Sequence, residues 1–453
     1  MVSALVFALA TGMGLLTDKY MLGVTNFVDH LSEMQATEFE KAFVKAAMYG
    51  GAVLGMMVFG PLSDHVGRRV CLIACSGITL IGAIGSAAAL NEQMLIAARI
   101  ITGIGMGGEY PLAASHSAES SSDSGHGGRN VGLLYLFGSG FGQAACPLVV
   151  YALLSAGLSN EVVWRSTFGL GALFALFGLV LRVATTQDSD KFKEAAAKRK
   201  ETHETAMHAL SYYAKPLLGT AFSWFFFDIV EYGLKQNDAA IFTASTDNYK
   251  DSVLTVFMTR LLVIPSLVVA ANLPLIMATK WVQLIGFTAC AVVNIILALY
   301  YPVLHEGHTV LFDGLYIIQL SFQSLPGVTT MAIPAEIFPS AFRGTGHGIS
   351  AASGKVGAAL GSYFFAYLNE HDRIRSIFWT VVTTALLASL VTLFLIPSYN
   401  GQTIDEMEAL AMSGEEDAAV KLLYAGPILD DDDDDEEEEE EDDDDSGEDE
   451  NGK

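Results

Sequence analysis

Long apolar stretches of about 20 residues, broken by short polar segments, run along the chain. Twelve stand out, at roughly 2–28, 43–63, 70–90, 93–119, 130–157, 164–184, 215–241, 252–272, 281–302, 311–336, 345–368 and 376–396. A helix of that length crosses a bilayer core of about 30 Å. The runs are continuous and do not alternate, which predicts helices rather than barrel strands. They form two sets of six around a charged, Ala-rich segment. The expected organisation is a six-helix half over 1–185, a cytoplasmic loop over 186–214, a second half over 215–397 and a mostly disordered cytoplasmic tail over 398–453. Six plus six predicts two half-transporters meeting at a midplane cavity. With both termini cytoplasmic, the inside loops hold twelve Lys/Arg and the outside loops six, in keeping with the positive-inside bias. The first run has no basic residue ahead of it, so it reads as a transport helix rather than a cleaved signal.

The pattern is broken most sharply in TAFSWFFFDIVEYGLKQND, residues 220–238, where Asp228, Glu231 and Lys235 interrupt a membrane-length run. Each ionisable side chain at the centre of a bilayer helix costs about 2.5–3.5 kcal/mol on insertion scales, so such groups face a polar cavity. Trp224, Asp228 and Tyr232 recur every four residues and share one helix face. This stripe reads as the lining of a substrate or ion path. Glu231 and Lys235 are also four apart, and an internal pair on one helix is the competing reading.

Composition agrees with a membrane protein, at 51% hydrophobic residues and a mean hydropathy of +0.39. The formal charge of −26 is concentrated at the end, because residues 430–450 hold 19 Asp and Glu. So acidic and apolar-poor a run cannot fold alone. It reads as a solvated tail, or as a segment that binds a basic partner or a divalent cation. The four cysteines lie in apolar runs and read as small core residues, with no metal site expected. No G-x-x-x-x-G-K-[ST] loop occurs, which argues against an ATP-driven pump. Neither a cofactor, nor enzymatic chemistry, nor nucleic-acid binding is expected.

Two strings carry family information. GPLSDHVGRRV (60–70) joins the second and third runs, and its Gly60, Asp64, Gly67, Arg68 and Arg69 resemble the loop signature of the major facilitator superfamily. Asp64 is placed to pair with Arg68 or Arg69. ARIITGIGMGGEYPLAASHSAES (98–120) resembles the phosphate:proton symporter branch of that superfamily. So do IPAEIFPSAFRGTGHGISAASGKVGAALG (333–361), WFFFDIVEYG and LLTDKYMLGVTN (15–26). The resemblance implies an all-α membrane protein with the major facilitator fold, twelve transmembrane helices in two six-helix halves, plus the disordered acidic tail. It implies proton-coupled symport of inorganic phosphate by alternating access. It assigns substrate binding to Tyr110, Ser139, Trp224, Asp228, Tyr232, Gly327 and Lys355. Asp18, Glu109 and Asp228, together with Arg99, would handle the proton; a structural ion pair between the first and fourth helices is the competing reading for Asp18, Glu109 and Arg99.

Two substrate positions depart from the branch. Its fifth helix shows a glutamine where Ser139 stands, and its tenth an asparagine where Gly327 stands. Both changes remove an amide donor and are expected to enlarge the cavity, with Lys235 a substitute donor. In the expected mechanism, Asp228 carries a proton and donates to a phosphate oxygen while Lys355 offsets the anion's charge. Glu119 and Glu336 are expected to latch onto Arg129 or Arg343, and His116 and His347 to be packing residues. Two other functions remain open: proton-coupled transport of an organic phosphate, sugar or carboxylate, and a non-transporting nutrient sensor. A monomer in the plasma membrane is the default.

Overall fold

The computed structural model describes residues 2–32, 38–119, 127–189, 192–194, 197, 210–237, 248–371, 373–399 and 401–425. The acidic run from Asp430 and most of the segment between the two helix sets lie outside the described residues. Among those described, the secondary structure is helical throughout.

Twelve long helices match the twelve apolar runs: α1 (Val2–Leu31), α2 (Glu38–Val66), α3 (Arg68–Ala87), α4 (Glu92–Glu119), α5 (Gly127–Ser155), α6 (Asn160–Thr185), α7 (Ala214–Lys235), α8 (Tyr249–Asn272), α9 (Thr279–Gly307), α10 (Thr309–Ile337), α11 (Arg343–Glu370) and α12 (Ile374–Leu395). Among the described residues, eight helices are long and apolar enough to cross a membrane. Buried polar groups also lie on α1, α4, α10 and α11: Asp18 and Lys19, Arg99 and Glu109, Gln319 and Gln323, and Lys355. These side chains mark where the polar interior is. On the outer faces Ile81, Val180, Leu299 and Phe394 are exposed. Apolar side chains on the outside and ionisable ones inside are the arrangement a hydrocarbon solvent favours.

Within the first set, α2 packs on α4, α3 on α4 and α6, and α1 on α5 and α6. In the second, α7 packs on α11 and α12, and α9 on α10 and α12. The sets meet where α2 lies along α11 and where α5 lies along α8 and α10. Close backbone approach needs small residues at these crossings. At Gly357 of α11, a Cβ would stand 3.0 Å from the Phe225 carbonyl carbon of α7. Helix α5 contains a π-helical turn at Leu136–Gly142, which shifts the register of everything beyond it.

The segment expected to start a disordered tail at 398 folds further than its composition announced. Gly401–Ser413 (α13) and Glu416–Ala425 (α14) are helices. Met407, Ala419 and Leu423 are buried with Tyr213, Phe338, Phe342 and Ile396. These contacts hold the pair against one end of the bundle.

Gly357→Val should force α7 and α11 apart and lower stability by roughly 1–3 kcal/mol, whereas Gly77→Ala, with nothing near its added carbon, should be neutral or stabilising by up to about 1 kcal/mol. Thermal unfolding of the two variants in detergent checks the contrast.

Candidate functional site

The stripe on α7 points into the bundle as its spacing predicts. Trp224, Asp228 and Tyr232 are all buried. Trp224 packs edge-on against His347 of α11, and Asp228 receives a 2.8 Å hydrogen bond from the Lys355 ammonium. Lys355 also donates to the Tyr232 hydroxyl at 3.0 Å, and its ammonium lies 4.9 Å from the centre of the Tyr110 ring of α4. Four of the expected substrate residues, Tyr110, Asp228, Tyr232 and Lys355, therefore form one cluster spanning α4, α7 and α11. One expectation changes: in this conformation Asp228 is salt-bridged to Lys355, so Lys355 is committed to the carboxylate rather than standing ready for an anion.

A residue the sequence did not single out completes the cluster. Lys19 of α1 is buried and donates to the same Tyr232 hydroxyl, again at 3.0 Å. Its ammonium sits 5.1–5.6 Å from the ring centres of Tyr110, Tyr135 and Tyr232. The signal was present in TDKY, since a lysine at the middle of a bilayer helix is as conspicuous as Asp18 beside it.

Beside this cluster is a second polar network. Glu231 is salt-bridged to Lys235 at 2.5 Å and accepts from Gln323 of α10 at 3.0 Å. Lys235 also donates to Gln143 of α5 at 2.8 Å. The expected role of Lys235 as a substitute donor is corrected: its ammonium is already held by Glu231 and Gln143. The amide lost at Ser139 reappears one turn along the same helix as Gln143. Ser139 is buried and lines a cavity with Tyr135, Gln143, Glu231, Lys235 and Arg260, and Gln143, Lys235 and Arg260 also line a neighbouring one with Lys19, Asn26 and Tyr232. Their volumes are about 10 and 30 Å³, enough for a water or two. Nor does Gly327 leave a hole. A Cβ there would lie 2.5 Å from the Tyr135 hydroxyl, which occupies the space an asparagine side chain would take.

The expected proton residues do not all come together. Glu109 of α4 forms a short, buried ion pair with Arg182 of α6, which also donates to Ser76 of α3. Gly14 of α1 makes room for this pair, because a Cβ at that position would overlap both side chains. Arg182, counted from sequence among the loop cations, is thus an interior residue. Asp18 is buried, and neither of its carboxylate oxygens has a hydrogen-bond partner among the described residues. Arg99 lies ten residues, about 15 Å, along α4 from Glu109. It donates to the Met21 carbonyl and to Thr25 and stacks over Phe168. The expected grouping of Arg99 with Asp18 and Glu109 fails for this reason; the partner of Glu109 is Arg182.

Both ends of the cluster are tied shut. At one end Gly67 turns the chain with φ +109° between α2 and α3. Asp64 pairs with Arg68 at 2.6 Å and accepts from the Gly344 and Thr345 amides at 3.0 and 2.8 Å. A carboxylate on the N-terminus of α11 meets the positive end of the helix dipole. Gly60 lets α2 approach α11 at the Gly344 carbonyl. Arg68 also bonds Glu119, which pairs with Arg343, which in turn pairs with Glu408 of α13. Arg69 is outside this network; its backbone amide donates to Asp188. Glu119 finds Arg343 as expected, whereas Glu336 bonds the Tyr399 hydroxyl rather than an arginine. His347 is a packing residue as expected: its ring Nε2 lies 3.1 Å from the Met331 carbonyl oxygen and donates to it. At the other end, Asn26 bonds the Lys235 carbonyl and Gln236 bonds the Tyr49 hydroxyl, linking α1 and α2 to the end of α7.

The Major Facilitator Superfamily model matches residues 3–273 and the Sugar (and other) transporter model residues 242–411. The chain belongs to the major facilitator superfamily. It is an integral multi-pass membrane protein. The inorganic phosphate transporter PHO84 of Saccharomyces cerevisiae is 27% identical over 88% of this chain and 83% of its own length. The glycerophosphoinositol transporter 1 of the same yeast is 25% identical over 87% of this chain and 79% of its own. The fold matches the proton:xylose symporter XylE with a TM-score of 0.79 at 20% identity, over 90% of this chain and 98% of that one.

Glu109→Gln should leave the Arg182 guanidinium buried without its carboxylate, at a cost of about 3–5 kcal/mol. Replacing Arg182 by Met in the same chain should recover most of that loss, as read from a double-mutant cycle of unfolding in detergent.

Proposed function

We propose that the protein is a proton-coupled symporter of inorganic phosphate, working by alternating access between its two six-helix halves. The observation that carries the reading is the contested ammonium of Lys355. Asp228 and an incoming phosphate are both anions, and both need that cation. An ionised Asp228 keeps Lys355 and repels the phosphate. A protonated Asp228 gives up the ion pair, so Lys355 turns to the substrate, and the new carboxyl O–H can donate to a phosphate oxygen. The hydroxyls of Tyr110 and Tyr232 and the Trp224 indole are neutral donors on the same face. Phosphate and proton therefore bind together, and in the empty carrier the Asp228–Lys355 pair is closed. Those two states, fully loaded and fully empty, are the ones in which the Lys355 ammonium has an anionic partner while the halves cross between conformations.

The relatives named as inorganic phosphate transporters favour inorganic phosphate over a bulkier organic phosphate. The major facilitator superfamily match supports transport rather than catalysis. Asp18 and the Glu109–Arg182 pair are proposed as the first-half stage of the proton route. Arg68 and Asp64 then form the inside latch, with both termini cytoplasmic, the protein monomeric and the plasma membrane its host.

Labelled phosphate uptake into proteoliposomes tests this. Wild type should accumulate phosphate when the outside is acidic and not when the pH gradient is collapsed. Asp228→Asn should lose gradient-driven accumulation by more than about tenfold while still exchanging phosphate across the membrane. Uptake of another solute alone, or binding without uptake, would count against the reading.

A further inference from the structure

Three buried ion pairs lie around the site, and Lys19 belongs to none of them. Asp228 holds Lys355, Glu231 holds Lys235 and Glu109 holds Arg182. Lys19 is 3% exposed and takes part in no ion pair among the described residues; its ammonium donates to a neutral phenol. A buried ammonium facing only a hydroxyl and aromatic ring faces is held at a cost that an ordinary structural role does not repay. The charged and titratable groups around it are Asp18 beside it on α1, Tyr110 on α4, Tyr135 on α5, Asp228, Glu231, Tyr232 and Lys235 on α7, Arg260 on α8 and Lys355 on α11. Counting Lys19 itself, four cations face three carboxylates there.

Geometry adds a second argument. Lys19 and Lys355 approach one oxygen, the Tyr232 hydroxyl, each at 3.0 Å, from opposite halves of the molecule. Two like charges converging on one neutral acceptor mark a place where an anionic oxygen would be better. Asp18, the next residue back, leaves α1 about 100° around the helix, with Glu109, Arg182, Lys19 and Lys355 as its charged neighbours.

Building on the phosphate reading, we propose that Lys19 is a substrate-binding residue that, with Lys355, forms a two-ammonium clamp closing on the phosphate from both halves. Phosphate oxygens take the place of the Tyr232 hydroxyl as the shared acceptor. The phenol is then free to donate to the same anion. Because α1 belongs to one half and α11 to the other, the bound anion also draws the halves together, so affinity and closure depend on the same two side chains.

The test compares wild type, Lys19→Gln and Lys19→Arg as full-length purified proteins, by proteoliposome uptake and by the phosphate-dependent rise in unfolding temperature in detergent. Lys19→Gln should fold at least as stably as wild type without phosphate. Its KM for phosphate, and the concentration needed for stabilisation, should rise by at least about tenfold. Lys19→Arg should recover most of the affinity. An unchanged KM in Lys19→Gln, or a fall in maximal rate alone, would overturn the clamp and make Lys19 a strut between α1 and α7. If wild type neither transports phosphate nor is stabilised by it, the phosphate reading itself falls, and sulfate and glycerol 3-phosphate are compared in the same stabilisation assay. An anion that stabilises wild type and not Lys19→Gln would sustain the role of Lys19; equal responses of the two proteins, or none, would overturn it.

Discussion

Charge buried within a bilayer must be matched, and that constraint organises the interior of this protein. Helices can surround ionisable side chains with apolar ones, but they cannot leave those charges unanswered. The structure answers three of the buried carboxylates with ion pairs. Glu109 has Arg182, Glu231 has Lys235 and Asp228 has Lys355. Each pair lies within one half, and the first two can persist through a transport cycle. The third joins α7 to α11 at the face where phosphate is proposed to sit. In the proposed mechanism it is the pair whose partner is exchanged, and that exchange couples the proton to phosphate.

Alternating access requires that the cavity open to one side at a time, and the ties at each end show what must break. On the Asp64 side the lock is ionic: a carboxylate on the first turn of α11, backed by Arg68, Glu119, Arg343 and Glu408. On the other side the ties are neutral or nearly so, through Asn26, Gln236 and Tyr49. The involvement of Glu408 brings α13 into the lock, so the helices after α12 belong to the machinery that holds one end closed. Between the ends, small residues set how closely the halves can approach, with α11 lying on both α2 and α7.

Much of this could be read from the chain, and the failures have physical causes. The twelve helices followed from runs of apolar residues because membrane helices carry their signal locally. The α7 stripe followed from four-residue spacing, and Lys355 from a resemblance to a family motif. Pairings between distant helices were less accessible. Arg182 sits at the edge of its apolar run, where a loop cation and an interior one look alike, so Glu109 was grouped with Asp18 and Arg99 instead. Lys19 was overlooked inside a motif already assigned to Asp18. The two missing amides looked like added space, because sequence cannot show that Tyr135 reaches into the place beside Gly327 or that Gln143 stands one turn beyond Ser139. Residues 401–425 were absorbed into the acidic tail although their Met, Leu and Ala positions cover the bundle end.

The central claim is that phosphate and a proton compete with one another's partners at Asp228–Lys355, so that binding one recruits the other. The most direct measurement is calorimetric titration of the purified protein with phosphate near neutral pH in two buffers of different ionisation enthalpy, which reports the protons exchanged on binding. The account predicts that about one proton is taken up by the wild-type protein for each phosphate bound, and that this uptake disappears when Asp228 is replaced by Asn. Phosphate binding with no buffer dependence in the wild type, or with the same dependence after the replacement, would contradict it.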